Sequence, residues 1–196
     1  MKKILSLILC LLMAFSLLTA CGSTTTETTT ESTTTESTEA AVELDMQAVV
    51  EAIETVDPVA MAQELSPAIE GSNDFMTELF GLDLTTVEDY YGKTTMVNVS
   101  SDVILIVKAV PGQVDAVKAA LEARRDAVAA SFEMYLVDQF HKASSGRVVT
   151  SGDYALLVIG DDTQEVVEYD SEDAMFAAID EVYAEIDKAI NSALNG

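Results

Sequence analysis

Cys21 is the residue whose type and surroundings most directly predict a chemical modification. It follows Leu18, Thr19 and Ala20, and this run before a cysteine resembles a lipobox. In that motif the thiol receives a diacylglycerol group, and a peptidase cuts the chain just before the cysteine. The sequence therefore predicts a lipidated N-terminal Cys21, with acyl chains such as palmitate giving a lasting membrane anchor.

Residues 1–20 have the composition of a lipoprotein signal peptide. Lys2 and Lys3 precede the uncharged apolar residues 4–20, which is the order of charged and apolar regions in an export signal. The apolar run has 17 residues, at the lower limit for crossing a bilayer. An ordinary signal peptide and an uncleaved anchor are therefore the alternatives, and Cys21 favours the lipoprotein signal over both.

Residues 21–41 are expected to form a disordered tether behind the lipidated cysteine. Residues 22–41 include ten threonines, three serines and four glutamates, so they cannot bury an apolar core. Residues 42–196 are long enough for one globular domain with a core. Its last part, residues 170–196, is expected to be an acidic helix.

The charge of the chain excludes one class of partner. The chain has 10 basic and 34 acidic residues, and removal of Lys2 and Lys3 leaves 8 and 34, a net charge of −26. Such a charge repels phosphate backbones, so no nucleic-acid partner is expected. An envelope protein, a basic peptide or a cation remains possible as a partner, although the charge is more simply explained by solubility.

A search for catalytic groups finds no convincing set. A serine triad would need His141, one of Ser100, Ser144 and Ser151, and an acid such as Asp153, but no nucleophile-elbow pattern surrounds these serines. His141 is better explained as a histidine near a helix C-terminus. Cys10 is lost with the leader and Cys21 is lipidated, so zinc ligands are also lacking. No cofactor other than the diacylglycerol is expected.

Two weaker candidate sites are acidic and aromatic. Asp161, Asp162 and Glu165 could hold calcium, but their spacing lacks the alternating acids and central glycine of an EF-hand loop. Tyr90, Tyr91 and Tyr154 could contact a ligand if they are exposed, although buried packing is the commoner role of such side chains.

The spacing of apolar residues predicts four helices and four strands. Asp45 is expected to cap the first helix, which Pro58 ends, and Gly152-Asp153 is expected to be the turn of the second hairpin. A further helical turn is expected from 85 or 86 to 91. The expected helices span about 46–57, 72–80, 113–142 and 171–194, and the expected strands span 94–99, 103–110, 147–151 and 154–160.

These elements predict an α+β fold. Short links within each strand pair require antiparallel pairing. The simplest packing is a four-stranded antiparallel sheet of order β-β-α-β-β along the chain, with the long helix across one face. The last helix is expected to dock on the core, with partner binding through this helix as the alternative.

Four short stretches carry a resemblance to a known family: residues 79–82, 101–104, 114–118 and 151–159. Through them, residues 44–162 resemble a family of bacterial lipoproteins known as domain of unknown function DUF4358. The resemblance implies a surface lipoprotein of Gram-positive, often gut-dwelling, bacteria and implies no activity or site residues. The helix after Gly160 extends past the usual domain.

The sequence therefore favours a lipid-anchored, extracytoplasmic protein that is not an enzyme and that binds a partner at the cell envelope. A hydrolase of the envelope that uses paired carboxylates is the main alternative, and a calcium-dependent binding protein is another. A hydrolase should have a deep pocket where two or more acids converge. A binding module should have a shallow groove or an apolar patch.

Overall fold

Two strands in the middle of the sheet consist almost entirely of apolar residues. The computed structural model describes residues 43–160 and 169–195. In it, β3 (Val103–Ala109) pairs with the whole of β5 (Tyr154–Ile159), from Val103 opposite Ile159 to Lys108 opposite Tyr154. All six residues of β5 are buried, as are all those of β3 except Lys108. Such runs are typical of strands that are covered on both faces.

Helices cover both faces of this sheet. Alternate residues of β3 and β5 point to opposite faces, and the two faces bury separate apolar clusters. Leu105 and Leu157 pack with α3 (Val114–Phe132) and α4 (Val137–Ser144). Ile106 and Leu156 pack on the other face with α1 (Met46–Glu54) and α5 (Glu172–Asn195). The fold therefore has three layers, with the sheet in the middle.

The other strands are β1 (Ala62–Leu65), β2 (Val87–Thr95) and β4 (Arg147–Ser151). The sheet is antiparallel and has five strands, in the order β1-β2-β3-β5-β4. The predicted mixed fold with an antiparallel sheet is confirmed, but the predicted number of four strands is wrong. The sequence did not indicate β1, because this short edge strand buries only Leu65 and depends on pairing with β2.

The first predicted strand was placed too late in the chain. Residues 94–99 were expected to be extended and residues up to 91 to be a helical turn, whereas β2 runs from Val87 to Thr95 after a short 3₁₀ turn, Leu84–Thr86. Exposed Glu88 and Asp89 and the central Gly92 weaken the strand pattern. Residues 96–102 instead form a loop between β2 and β3, which is longer than the expected three-residue turn.

The predicted helix over 113–142 is divided in two. α3 ends at Phe132, and α4 begins at Val137 after an extended Leu136. No glycine or proline lies at this break, so the sequence does not signal it. The change of direction allows α4 to contact the loop between β2 and β3.

The remaining elements agree with the pattern. The Asp45 carboxylate caps α1 by accepting a hydrogen bond from Ala48 N at 3.1 Å. Residues 72–79 form α2 (Ser72–Asp74) and a π-helical turn (Phe75–Leu79). Gly152 has a φ of 56° in a two-residue turn between Ser151 and Tyr154, as the hairpin requires.

None of the helices in the described ranges is long and apolar enough to cross a membrane.

Candidate functional site

A pocket of about 290 Å³ lies between α3 and the loop that joins β2 to β3. α3 contributes Arg124, Ala127, Val128, Ser131 and Phe132 to its lining. The ends of β2 and β3 and the loop between them contribute Thr94, Thr95, Asn98, Ser100, Ser101, Asp102 and Val103. Leu79 and Phe80 complete it. The lining therefore combines an apolar base with hydroxyl, amide and charged groups.

Arg124 occupies a position on α3 where the helical period calls for an apolar residue. It lies three residues after Leu121 and four before Val128, both of which are buried, so it shares their face of the helix. Its guanidinium lies over the ring of Phe80, with Cζ 5.7 Å from the ring centroid. Burial lowers the pKa of Arg124 from its usual value, because desolvation penalises the charged form.

Arg124 differs from every other cation in the part of the chain that the structure describes. The other seven each form an ion pair with a carboxylate, whereas the Arg124 guanidinium has neither an ion pair nor a hydrogen bond with any residue in 43–160 or 169–195. The paired cations are Lys93, Lys108, Lys118, Arg125, Lys142, Arg147 and Lys188. In so acidic a chain, a cation that lacks a carboxylate partner and lines a pocket marks this pocket as the candidate site.

A buried ion pair supports one wall of the pocket. The Lys142 ammonium of α4 contacts the Asp102 carboxylate, and the two residues are only 2 % and 8 % exposed. Removing two charged groups from water costs desolvation free energy, and a folded protein tolerates this when the two charges pair with each other. The pair therefore ties α4 to the loop at the point where β3 begins.

A second contact between α4 and the loop lies beside the ion pair. Gln139 Oε1 accepts hydrogen bonds from Ser101 N at 3.2 Å and from Ser101 Oγ at 3.1 Å. Gln139 and Lys142 are three residues apart on α4, so they face the same side of the helix. Ser101 and Asp102 thus each contact a side chain on the same side of α4, and this part of the pocket wall is attached to α4 at two points.

Some polar groups of the pocket are already engaged and others are available. Thr95 Oγ1 donates to Ala60 O at 3.0 Å, and Ser131 Oγ donates to Val128 O at 2.6 Å. Ser100 Oγ accepts from Asp102 N at 3.4 Å, which leaves its own proton for another acceptor. Asn98 is exposed, so its amide can also reach a ligand. The available groups are therefore mainly hydrogen-bond donors.

Beside the ion pair, α5 contacts the end of β5 through Tyr183. The Tyr183 hydroxyl donates to Lys142 O at 2.7 Å and accepts from Gly160 N at 3.3 Å. Asp57 is buried against Gly160, where a side-chain carbon would lie 1.6 Å from its carboxylate. The Tyr183 hydroxyl therefore links α5 to the backbone of Lys142 and to the end of β5.

The predicted triad residues do not assemble. His141 Nε2 lies 3.1 Å from Asp180 Oδ1, and its ring stacks on Phe176 at 4.1 Å. Among the described residues, no serine side chain hydrogen-bonds to the His141 ring. Ser100 lies in the pocket loop, Ser144 ends α4, and Ser151 and Asp153 belong to the hairpin at the other end of β5. His141 therefore joins α4 to α5.

The tyrosines follow the commoner expectation of buried packing. Tyr90 is 3 % and Tyr154 is 5 % exposed, and Tyr91 is half-buried. The Tyr90 hydroxyl donates to Asn73 Oδ1 at 2.8 Å, and the Tyr154 hydroxyl accepts from Leu44 N at 3.2 Å. None of the three lines the pocket.

The predicted lipidation and calcium sites lie outside the described residues. This applies to Cys21 and to Asp161, Asp162 and Glu165. Within 43–160 and 169–195, no group of three or more histidine, cysteine or acidic residues could hold a metal ion.

The sequence analysis missed Arg124, Asp102 and Lys142. A usable signal for Arg124 was present, since it interrupts the apolar stripe of α3. The Asp102–Lys142 pair had no such signal. Its members are far apart in sequence and meet only because the chain changes direction between α3 and α4.

Comparison with known proteins gives one match. The model of a family described as domain of unknown function (DUF4358) matches residues 61–160, which confirms the resemblance seen in the sequence. No curated protein matches the chain, and no solved structure matches it. All the residues that line the pocket lie within the matched segment, whereas α1 and α5 lie outside it.

Proposed function

The chain belongs to the DUF4358 family of domains of unknown function, and we propose that it is a lipid-anchored, extracytoplasmic protein whose domain binds a ligand in the pocket between α3 and the loop 96–102. The observation that carries the binding role is the composition of this pocket. Among the described residues, it is lined by several polar groups but by only one carboxylate, Asp102, which forms an ion pair with Lys142.

The proposed location at a membrane rests on the sequence of residues 1–21. Lys2 and Lys3, the apolar residues 4–20 and Cys21 together favour export, lipidation and cleavage, and hence a membrane lipoprotein. The resemblance to the DUF4358 family implies that the membrane is that of a Gram-positive bacterium. A diacylglyceryl cysteine supplies two acyl chains, which is what lasting attachment requires. The tether of residues 22–41 would then separate the domain from the lipid surface.

The pocket argues against the main alternative, a hydrolase with paired carboxylates. Glycoside hydrolysis commonly uses two carboxyl groups that flank the scissile bond. The described lining offers Asp102 alone, and Lys142 holds its charge. A fixed, mainly hydrogen-bond-donating lining is better suited to holding a ligand than to proton transfer.

Ligand capture by the full chain tests this function. The chain, purified from membranes in detergent, is incubated with the small-molecule fraction of an envelope extract, with and without calcium, and is then re-isolated. Compounds released on denaturation are identified by mass spectrometry. Ala127→Trp should fill the pocket, since Ala127 is an exposed lining residue. Ala119→Trp is the matched control, because Ala119 is exposed on the same helix outside the lining.

We expect the wild type and the Ala119 variant to retain the same compound unchanged and the Ala127 variant to lose it. Equal retention by both variants would place binding elsewhere and refute the role of the pocket. Consumption of an envelope polymer or peptide would establish a hydrolase instead, provided that Asp102→Asn abolishes the consumption while thermal unfolding shows that the variant is folded. Retention only in the presence of calcium would support the calcium-dependent alternative.

A further inference from the structure

Arg124 indicates which kind of ligand the pocket accepts. Of the eight cations in residues 43–160 and 169–195, it is the one without a carboxylate partner, although the chain has 34 acidic residues. We propose that the Arg124 guanidinium binds an oxyanion, a carboxylate or phosphate group carried by a small ligand. This inference rests on the proposed function and specifies the chemistry of its ligand.

The position of Arg124 is unfavourable unless something compensates it. The side chain is half-buried on the core-facing stripe of α3, where its only partner in the described chain is the Phe80 ring. Burial lowers its pKa, since the charge has lost water without gaining a counter-ion. An oxyanion in the pocket would supply that counter-ion.

The groups around Arg124 suit an oxyanion. A guanidinium presents several N–H groups in a planar fork that matches a carboxylate or phosphate. The Ser100 hydroxyl still has a proton to donate, and the exposed Asn98 amide can donate as well. Both line the same pocket as Arg124. An oxyanion accepts several hydrogen bonds and would use all three donors.

The one carboxylate of the lining does not oppose this inference. Asp102 contacts the Lys142 ammonium, so its charge is already compensated. Arg124 is then the uncompensated charge of the pocket, and the local field favours an anion even though the whole chain is strongly negative. The remaining wall, formed by Val128, Phe132 and Val103, can cover an apolar part of the same ligand.

Inorganic phosphate and succinate are the probes that test this inference. The thermal unfolding of the full chain is followed at increasing concentrations of each sodium salt, against sodium chloride of equal ionic strength. Arg124→Gln removes the charge from the pocket. Arg125→Gln is a matched control, since Arg125 is the next residue and pairs with Asp126 at 2.8 Å. Arg124→Lys keeps the charge without the fork and serves as a second variant if Arg124→Gln does not fold.

We expect phosphate, succinate or both to raise the melting temperature of the wild type and of the Arg125 variant, because a ligand of the folded state stabilises it. The response identifies the group as phosphate or carboxylate. Loss of a charge-assisted hydrogen bond should weaken the apparent affinity of the Arg124 variants by about tenfold or more. Without a probe, Arg124→Gln should melt no lower than the wild type.

Equal responses of the wild type and Arg124→Gln would overturn the inference. So would the absence of any response to both salts. The proposed function can be judged separately, by capture of the envelope compound. If Arg124→Gln still retains that compound and Ala127→Trp does not, the pocket binds a ligand but the ligand is not an oxyanion held by Arg124. If neither salt nor extract gives a ligand, both proposals fail.

Discussion

Lys142→Met is the substitution whose effect follows most directly from the structure. Methionine approximates the length of the lysine side chain but removes its charge, which leaves the Asp102 carboxylate unpaired. Both residues are almost fully buried, at 2 % and 8 % exposure. Breaking a buried pair by removing one partner costs about 3–5 kcal/mol. For a domain of this size, this corresponds to a fall in melting temperature of roughly 6–20 °C.

Chemical denaturation of the full chain at neutral pH measures this loss as a change in the free energy of unfolding. Lys118→Met is the matched control. Lys118 pairs with Glu122 one helical turn away, and both side chains are more than a third exposed. Such surface pairs contribute about 0.3–0.5 kcal/mol, so the control variant should unfold close to the wild type.

A second substitution separates the lost pair from lost packing. Asp102→Asn in the Lys142→Met background removes the unpaired charge and should recover part of the stability, since much of the cost is the buried carboxylate. A fall of less than about 1 kcal/mol in Lys142→Met, or no recovery in the double variant, would show that the Asp102–Lys142 pair is not what holds the loop to α4.

Three further predictions concern other parts of the chain. Cys21→Ala should abolish metabolic lipid labelling and release the protein from membranes, and retention of the unlabelled variant would instead indicate an uncleaved helix. Gly152→Val should destabilise the domain by roughly 1–3 kcal/mol in thermal unfolding, because Gly152 has a φ of 56°; a wild-type melting curve would contradict the strained turn. Burial raises the pKa of Tyr90, so the folded protein keeps this proton after unfolded chains lose it near about pH 10. The free energy of unfolding should therefore fall as the pH rises from about 10 through the raised pKa, and Tyr90→Phe should reduce that fall; an unchanged pH profile would show that Tyr90 does not cause it.

The parts of the fold that the sequence predicts well are those governed by local chemistry. Asp45 caps its helix as expected, and Gly152 turns the second hairpin. The two central strands, predicted over 103–110 and 154–160, were found because both segments are runs of β-branched and other apolar residues, and all but one of their strand residues are buried. In each case the relevant energy acts over a few neighbouring residues.

The parts of the fold that the sequence did not predict depend on contacts between residues far apart in the chain. β1 has one buried residue and exists through its pairing with β2. The break after Phe132 has no local breaker, and the contacts it allows, such as Gln139 with Ser101, span 38 residues. Arg124 is an intermediate case, since its irregular place in the apolar stripe is visible in the sequence but the pocket beside it is not.

The sheet separates the pocket from the point where the described chain begins. Leu44 N contacts the Tyr154 hydroxyl, on the α1 side and at the end of β3 and β5 where Lys108 pairs with Tyr154. The pocket lies on the α3 side, where β3 begins at Val103. Val103 and Lys108 are five residues apart along β3, a distance of about 17 Å. A ligand in the pocket would therefore lie on the opposite face of the sheet from Leu44 and at the other end of β3.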